Sequence, residues 1–179
     1  MATNIKKIVA QEYLKCAKDP IYFMKKYCYI QHPTRGRILF NLYPFQEKVL
    51  EHFKDQQYLI TLKSRQLGIS TLSSAYSLWL MIFHKDKNVL ALATTQATAR
   101  NLVTKVIFMY DQLPKWLRLK SVEKNKLSLR LKNGSKIQAK SSNADAARSE
   151  AVSLLVIDEA AFIDNIDETF AAAQQTLAT

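Results

Sequence analysis

The sequence is poor in the residues that build linkers, crosslinks and metal clusters. Its 179 residues include three glycines and four prolines, which excludes collagen-like and linker-rich architectures. The two cysteines, Cys16 and Cys28, cannot make a disulfide framework or a four-thiolate zinc site. They are expected as buried thiols in a reducing compartment. The three histidines, His32, His52 and His84, are scattered, which speaks against a metal-ligand cluster. The longest apolar run, residues 78–83, falls far short of the roughly 20 residues that span a bilayer. The first 19 residues are polar and amphipathic, without the apolar core of a signal peptide. These absences predict a soluble, intracellular chain with no membrane association, and one domain is the default at this length. Acidic residues are scarce too: 15 Asp and Glu stand against 26 Lys and Arg, a net charge of +11. That excess suggests an acidic partner, of which nucleic acid is the commonest.

What is present is globular: 48% hydrophobic and 23% charged residues, enough apolar surface to build a core. Residues 4–29 alternate apolar and basic positions at helical spacing, broken at Asp19-Pro20, which reads as an N-cap followed by proline in the first turn. Residues 32–36 read as a turn, and 43–54 as a helix with Phe45, Val49, Leu50 and Phe53 on its apolar side. The apolar, β-rich run 58–62 predicts a strand. A helix is expected over about 70–84, a buried strand over 89–93, an amphipathic helix over 95–113 and a third buried strand over 154–157. Buried strands alternating with helices predict a parallel sheet covered on both faces. Residues 127–141 break that rhythm. Leu127, Leu129 and Leu131 alternate with polar residues, and an Asn133-Gly134-Ser135 loop leads into 136–140. The expected antiparallel hairpin puts Leu131 opposite Ile137 and Leu129 opposite Ala139, so that apolar residues share a face.

Charge is unevenly placed. Residues 115–148 hold ten basic side chains and two acidic ones, whereas 150–179 hold six acidic and no basic side chains. The basic stretch reads either as a solvated hairpin or as a phosphate-facing surface.

Two motifs carry chemistry. The first is the predicted strand 58–62 running into Lys63-Ser64-Arg65-Gln66-Leu67-Gly68-Ile69-Ser70-Thr71 and a helix. This is the layout of a phosphate-binding loop, in which backbone N–H groups face an anion, Gly68 permits close approach, and Ser70 or Thr71 offers a hydroxyl to Mg2+. It departs from G-x-x-x-x-G-K-[ST]: Lys63 stands at the first glycine position and Ile69 at the lysine. Lys63 or Arg65, at the loop's start, could supply the missing positive charge. The second motif is Leu154-Leu155-Val156-Ile157-Asp158-Glu159. Asp158, at a strand end, can orient a magnesium-water shell, and Glu159 can position the attacking water or accept its proton. Upstream, the Gln46 amide in Tyr43-Pro44-Phe45-Gln46 offers a donor and an acceptor to an adenine edge.

Together with Ser141-Ser142-x-x-Asp145-Ala146-x-Arg148 and Ile157-Asp158-Glu159-Ala160-x-Phe162-Ile163, these motifs resemble the ATPase domain of the terminase large subunit, the DNA-packaging motor of tailed bacteriophages. The resemblance spans about residues 40–170. It implies a P-loop NTPase of the ASCE type with ATP and Mg2+ as cofactors. It also implies an adenine-contacting Gln46, a Walker A motif at 63–71, a Walker B aspartate at Asp158 and a catalytic Glu159. Residues 1–57 become a helical region leading into the adenine motif, and 58–179 a partial ATPase core. The implied partners are double-stranded DNA, a portal protein, a small terminase subunit and further copies on the portal, in the host cytoplasm. The family pattern also places further strands, a coupling motif and a nuclease domain beyond Thr179. Ser149 stands where the family often has glycine, which bears on a sensing role for Arg148. A helicase-like ATPase and a non-catalytic nucleic-acid-binding protein with a degenerate loop are the alternatives.

Overall fold

The computed structural model describes residues 2–142 and 151–177. Two helices open the chain, α1 (Ala2–Lys18) and α2 (Pro20–Tyr27). Asp19 caps α2 as its sequence predicts, its carboxylate accepting from the Ile21 N–H at 2.8 Å. The turn read at 32–36 is the tip of a hairpin between β1 (Tyr29–His32) and β2 (Gly36–Leu39), with Ile30 opposite Ile38. Helix α3 (Pro44–Asp55) follows, and after residues 56–68 helix α4 (Ile69–Phe83).

The main sheet has five strands in the order β4-β5-β6-β3-β7: β3 (Asn88–Ala93), β4 (Ser121–Lys124), β5 (Ser128–Leu131), β6 (Lys136–Ser141) and β7 (Leu154–Ile157). β3 is parallel to both β6 and β7, whereas β4, β5 and β6 form an antiparallel meander. The sheet is therefore mixed. Helix α5 (Gln96–Gln112) joins β3 to the meander, and Thr95 caps it by accepting from the Thr98 N–H at 3.1 Å. A short 3-10 helix (Ala160–Phe162) and α6 (Ile166–Gln174) follow β7.

Alternation along β3 sorts its side chains onto two faces. Val89 and Ala93 join the larger core, with Leu72, Leu78, Met81 and Ile82 of α4 and Val103, Val106 and Met109 of α5. Leu90 and Leu92 face the other way, packed with Val152, Leu155 and Ile157, and Leu155 also meets Ala172 and Ala173 of α6. Helix α4 is apolar on nearly every side because neighbours surround it; truncating Leu72 or Leu78, both fully buried, should cost about 2–5 kcal/mol. Cys16 and Cys28 are free and buried. Burial pushes the Cys16 thiol up to about 12 and the Cys28 thiol higher still. Among the described residues no helix is long and apolar enough to cross a membrane.

Two expectations are corrected. Residues 58–62 form no strand: among the described residues they have no ladder partner, with Ile60 97% and Leu62 100% exposed. High β-propensity expresses packing on a pleated, half-buried surface, and none is offered to this run. The hairpin at 128–141 is antiparallel as expected, but its register is shifted by two residues. Leu129 pairs with Ile137, and the three-residue loop is Lys132-Asn133-Gly134, closed by the Leu131 N–H donating to the Ser135 carbonyl at 2.8 Å. Gly134, at φ +85°, takes the left-handed last position that such a loop demands. A Cβ there would fall 2.0 Å from Oδ1 of Asp86.

Candidate functional site

The segment 63–68 leads directly into the first turn of α4. Its local geometry is set by two residues with positive φ, Gln66 at 64° and Gly68 at 72°. Gly68 is the N-cap of α4 and makes no side-chain cap bond. The first helical bond runs from the Leu72 N–H to the Gly68 carbonyl. The N–H groups of Ile69, Ser70 and Thr71 thus precede the helical ladder and are left for an outside acceptor. Lys63, Ser64, Arg65, Gln66 and Leu67 are exposed, and Ser70 and Thr71 half-buried. Among the described residues Lys63 and Arg65 donate no hydrogen bond. The Ser70 carbonyl accepts from the Ser74 hydroxyl at 2.8 Å, which fixes the first turn to the next.

Gln46 lies directly beneath this loop, only 2% exposed. Its Nε2 donates to the Leu67 carbonyl at 2.9 Å, and its Oε1 accepts from the Tyr43 N–H at 3.0 Å. The second contact is half of a capping arrangement at the start of α3. A Cβ on Gly68 would sit 2.8 Å from the same Nε2. The Gln46 amide therefore ties α3 to the loop, leaving one N–H and one lone pair. Tyr43 and Phe45 stack beside it at 5.7 Å, both exposed.

The carboxylates come from β7. The Asp158 N–H donates to the Leu92 carbonyl at 2.9 Å, so Asp158 extends the parallel pairing with β3 by one bond. Its side chain is half-buried, and Glu159 is exposed. Glu159 has φ +56°, a left-handed conformation that is uncommon outside glycine. Among the described residues β7 pairs with β3 alone in the sheet, which leaves all four of its residues half-buried.

One participant was not read from the sequence. Lys105, half-buried on α5, is electrostatically coupled to both Asp158 and Lys63. Burial lowers the pKa of its ammonium, Asp158 opposes that shift, and Lys63 adds to it. The signal was legible in principle: Lys105 falls on the helix face that carries Leu102 and Met109, both buried, where a lysine is out of pattern.

Asn133-Gly134-Ser135 has a structural task. Asn133 Nδ2 donates to the carbonyls of Met81 at 2.8 Å and His84 at 3.0 Å, and the Ser135 hydroxyl donates to His84 at 2.8 Å. The hairpin tip thereby caps the C-terminal end of α4. Ser141 and Ser142 close β6, whereas Asp145, Ala146, Arg148 and Ser149 lie outside the described residues.

Residues 60–178 match the family model of the terminase large subunit, T4-like-virus type, N-terminal region. The fold is similar to that of the large terminase of bacteriophage HK97, with a TM-score of 0.70 and 17% identity over 90% of this chain and 36% of that one. The chain thus spans about a third of the HK97 protein. A second match is an ATPase-domain mutant of the large terminase of Thermus phage P74-26, with a TM-score of 0.49 and 20% identity over 62% of this chain and 53% of that one. With the family model covering most of its length, the chain belongs to the terminase large subunits, within their N-terminal region.

Proposed function

We propose that this chain is the nucleotide-binding part of a DNA-packaging motor, a P-loop ATPase in which loop 63–71 holds the phosphates of ATP. The observation that supports it best is the convergence of three features. These are a loop that opens α4 through Gly68 in the left-handed region, uncapped first-turn N–H groups, and Asp158 and Lys63 acting on one lysine.

The residues fit a magnesium nucleotide. The N–H groups of Ile69, Ser70 and Thr71 can donate to phosphate oxygens, and the missing Cβ of Gly68 leaves room for the Gln46 amide that holds the loop from beneath. A hydroxyl of Ser70 or Thr71 and the Asp158 carboxylate are oxygen donors of the kind Mg2+ prefers. Lys63 and Arg65, exposed and without a hydrogen-bond acceptor among the described residues, supply charge that Ile69 cannot. Glu159 orients the attacking water and takes its proton. Gln46 holds the loop by its Leu67 carbonyl, with its remaining amide capacity directed to adenine. ATP, when bound, supplies the phosphoanhydride bond whose cleavage drives movement of double-stranded DNA into a procapsid. The portal protein, the small subunit and neighbouring copies complete that machine in the host cytoplasm.

The experiment is a pair of substitutions in the full-length terminase. Asp158→Asn should weaken magnesium-dependent ATP binding. Glu159→Gln should leave binding near wild type and lower turnover by about 10²–10⁴-fold. Equal loss of affinity in both variants would refute the assignment of the two carboxylates. In the same protein, wild-type ATP affinity and turnover in both Lys63→Ala and Arg65→Ala would show that neither replaces the loop lysine.

A further inference from the structure

A lysine on the inner side of a helix needs a reason. Lys105 shares the face of α5 that carries Leu102 and Met109, both buried in packing against neighbouring elements. The neighbour on this side is α4: the Ser74 hydroxyl donates to the Leu102 carbonyl at 3.3 Å. Ser74 lies one turn along α4 from Ser70, so this contact brings α5 against the part of α4 that opens from the loop. Side chains on a helix lean toward its N-terminus, and the N-terminal end of α5 follows the C-terminal end of β3, the strand end beside Asp158. That lean directs the Lys105 side chain toward the N-terminal end of α5.

Its surroundings do not satisfy it. Among the described residues Lys105 donates no hydrogen bond and joins no salt bridge. The charges that act on it are Asp158, favourably, and Lys63, unfavourably. Lys105 thus feels one carboxylate and one further cation, and no direct partner neutralises it. A half-buried charge without a direct partner is unfavourable, and an apolar side chain would fill this position better if packing were its only task. An anion seated at the loop would resolve the imbalance for both lysines.

We propose that Lys105 is a phosphate-binding residue of the nucleotide site, delivering from α5 the positive charge that Ile69 leaves out of the loop. It rests on the reading of 63–71 as a nucleotide loop. The Asp158 carboxylate, which makes no direct contact with the ammonium, would be left to hold Mg2+, and the Lys105 ammonium would donate to a phosphate oxygen. Lys63 then acts together with Lys105, one from each side of the phosphates.

The test is MgATP affinity of the full-length terminase measured by equilibrium titration, with folding followed by thermal melting. Lys105→Met should weaken MgATP binding by about 10–100-fold, the range of a hydrogen bond to a charged group. Lys105→Arg, which keeps the charge, should recover most of it. Wild-type protein that binds no MgATP would overturn the nucleotide reading itself. Wild-type protein that binds, beside a folded Lys105→Met variant that binds equally well, would overturn the role of Lys105 alone. Should Lys105→Met fail to fold, labelling of the wild type with an amine-reactive reagent decides. Saturating MgATP should protect Lys105 and adenosine should not; labelling of Lys105 unaffected by MgATP would overturn the proposal.

Discussion

Gln46 and Leu67 are joined by one hydrogen bond, from Nε2 to the backbone carbonyl at 2.9 Å, and through it the first turn of α3 holds the loop that opens α4. The donor is buried, whereas Leu67, whose carbonyl accepts, is exposed. The bond makes the conformation of the loop depend on a side chain 21 residues upstream.

Gln46→Ala should therefore destabilise the protein by about 1–3 kcal/mol, since it strands the Leu67 carbonyl and the Tyr43 N–H. Gln46→Glu should be at least as costly: it keeps the acceptor for Tyr43 but sets a carboxylate oxygen against the Leu67 carbonyl. Chemical denaturation of both variants measures this. A Glu variant as stable as wild type would mean that the bond to Leu67 is not a constraint.

Gly68→Ala should be coupled to Gln46. The left-handed backbone alone costs an alanine about 1–2 kcal/mol, and the new Cβ would press on Nε2 of Gln46 at 2.8 Å. In a Gln46→Ala background that contact is gone, so the double variant should be less unstable than the two single losses added together. Strict additivity in a double-mutant cycle would show that the two residues do not meet.

Asn133 should matter for stability without touching nucleotide. Asn133→Ala removes the donor to the Met81 and His84 carbonyls and should cost about 1–3 kcal/mol. Asn133→Asp should be worse by a further 0.3–1 kcal/mol or about that, because a negative charge then faces the negative end of α4. Denaturation midpoints of the two variants, with MgATP affinity as control, give the comparison.

Glu12 should give the N-terminal helices an acid-sensitive brace. Its Oε1 accepts from Lys26 Nζ at 2.7 Å, Tyr22 OH at 2.7 Å and Tyr27 OH at 2.8 Å. These bonds, that from Lys26 first, lower its pKa from 4.5 to about 2. A depressed carboxyl pKa contributes stability that is fully present above the unfolded value and is lost as pH falls through the folded one. The brace should thus weaken between about pH 4.5 and pH 2. Melting curves across that window should converge for wild type and Glu12→Gln as pH falls. A constant difference between them would contradict the brace.

Elements that depend on near neighbours were legible in the sequence. The Asp19-Pro20 cap, the Thr95 start of α5, the apolar run of β7 and the antiparallel pairing within 128–141 follow from spacing and side-chain chemistry over a few residues. So does the order of the motifs, from Tyr43-Pro44-Phe45-Gln46 through the loop to Asp158-Glu159, which carried the family resemblance that the match over residues 60–178 bears out. Tertiary structure decided the rest. Residues 58–62 have the composition of a strand and no ladder partner, since pairing requires an edge that local propensity cannot provide. Two registers differing by two residues both match apolar side chains across the hairpin, and Gly134 in the left-handed position, at φ +85°, decided between them by setting Leu129 opposite Ile137. Gln46 and Leu67 meet only because the packing of α3 and α4 carries them together. Periodicity reports which side of a helix faces the core, but which polar groups converge there depends on contacts between residues distant in sequence.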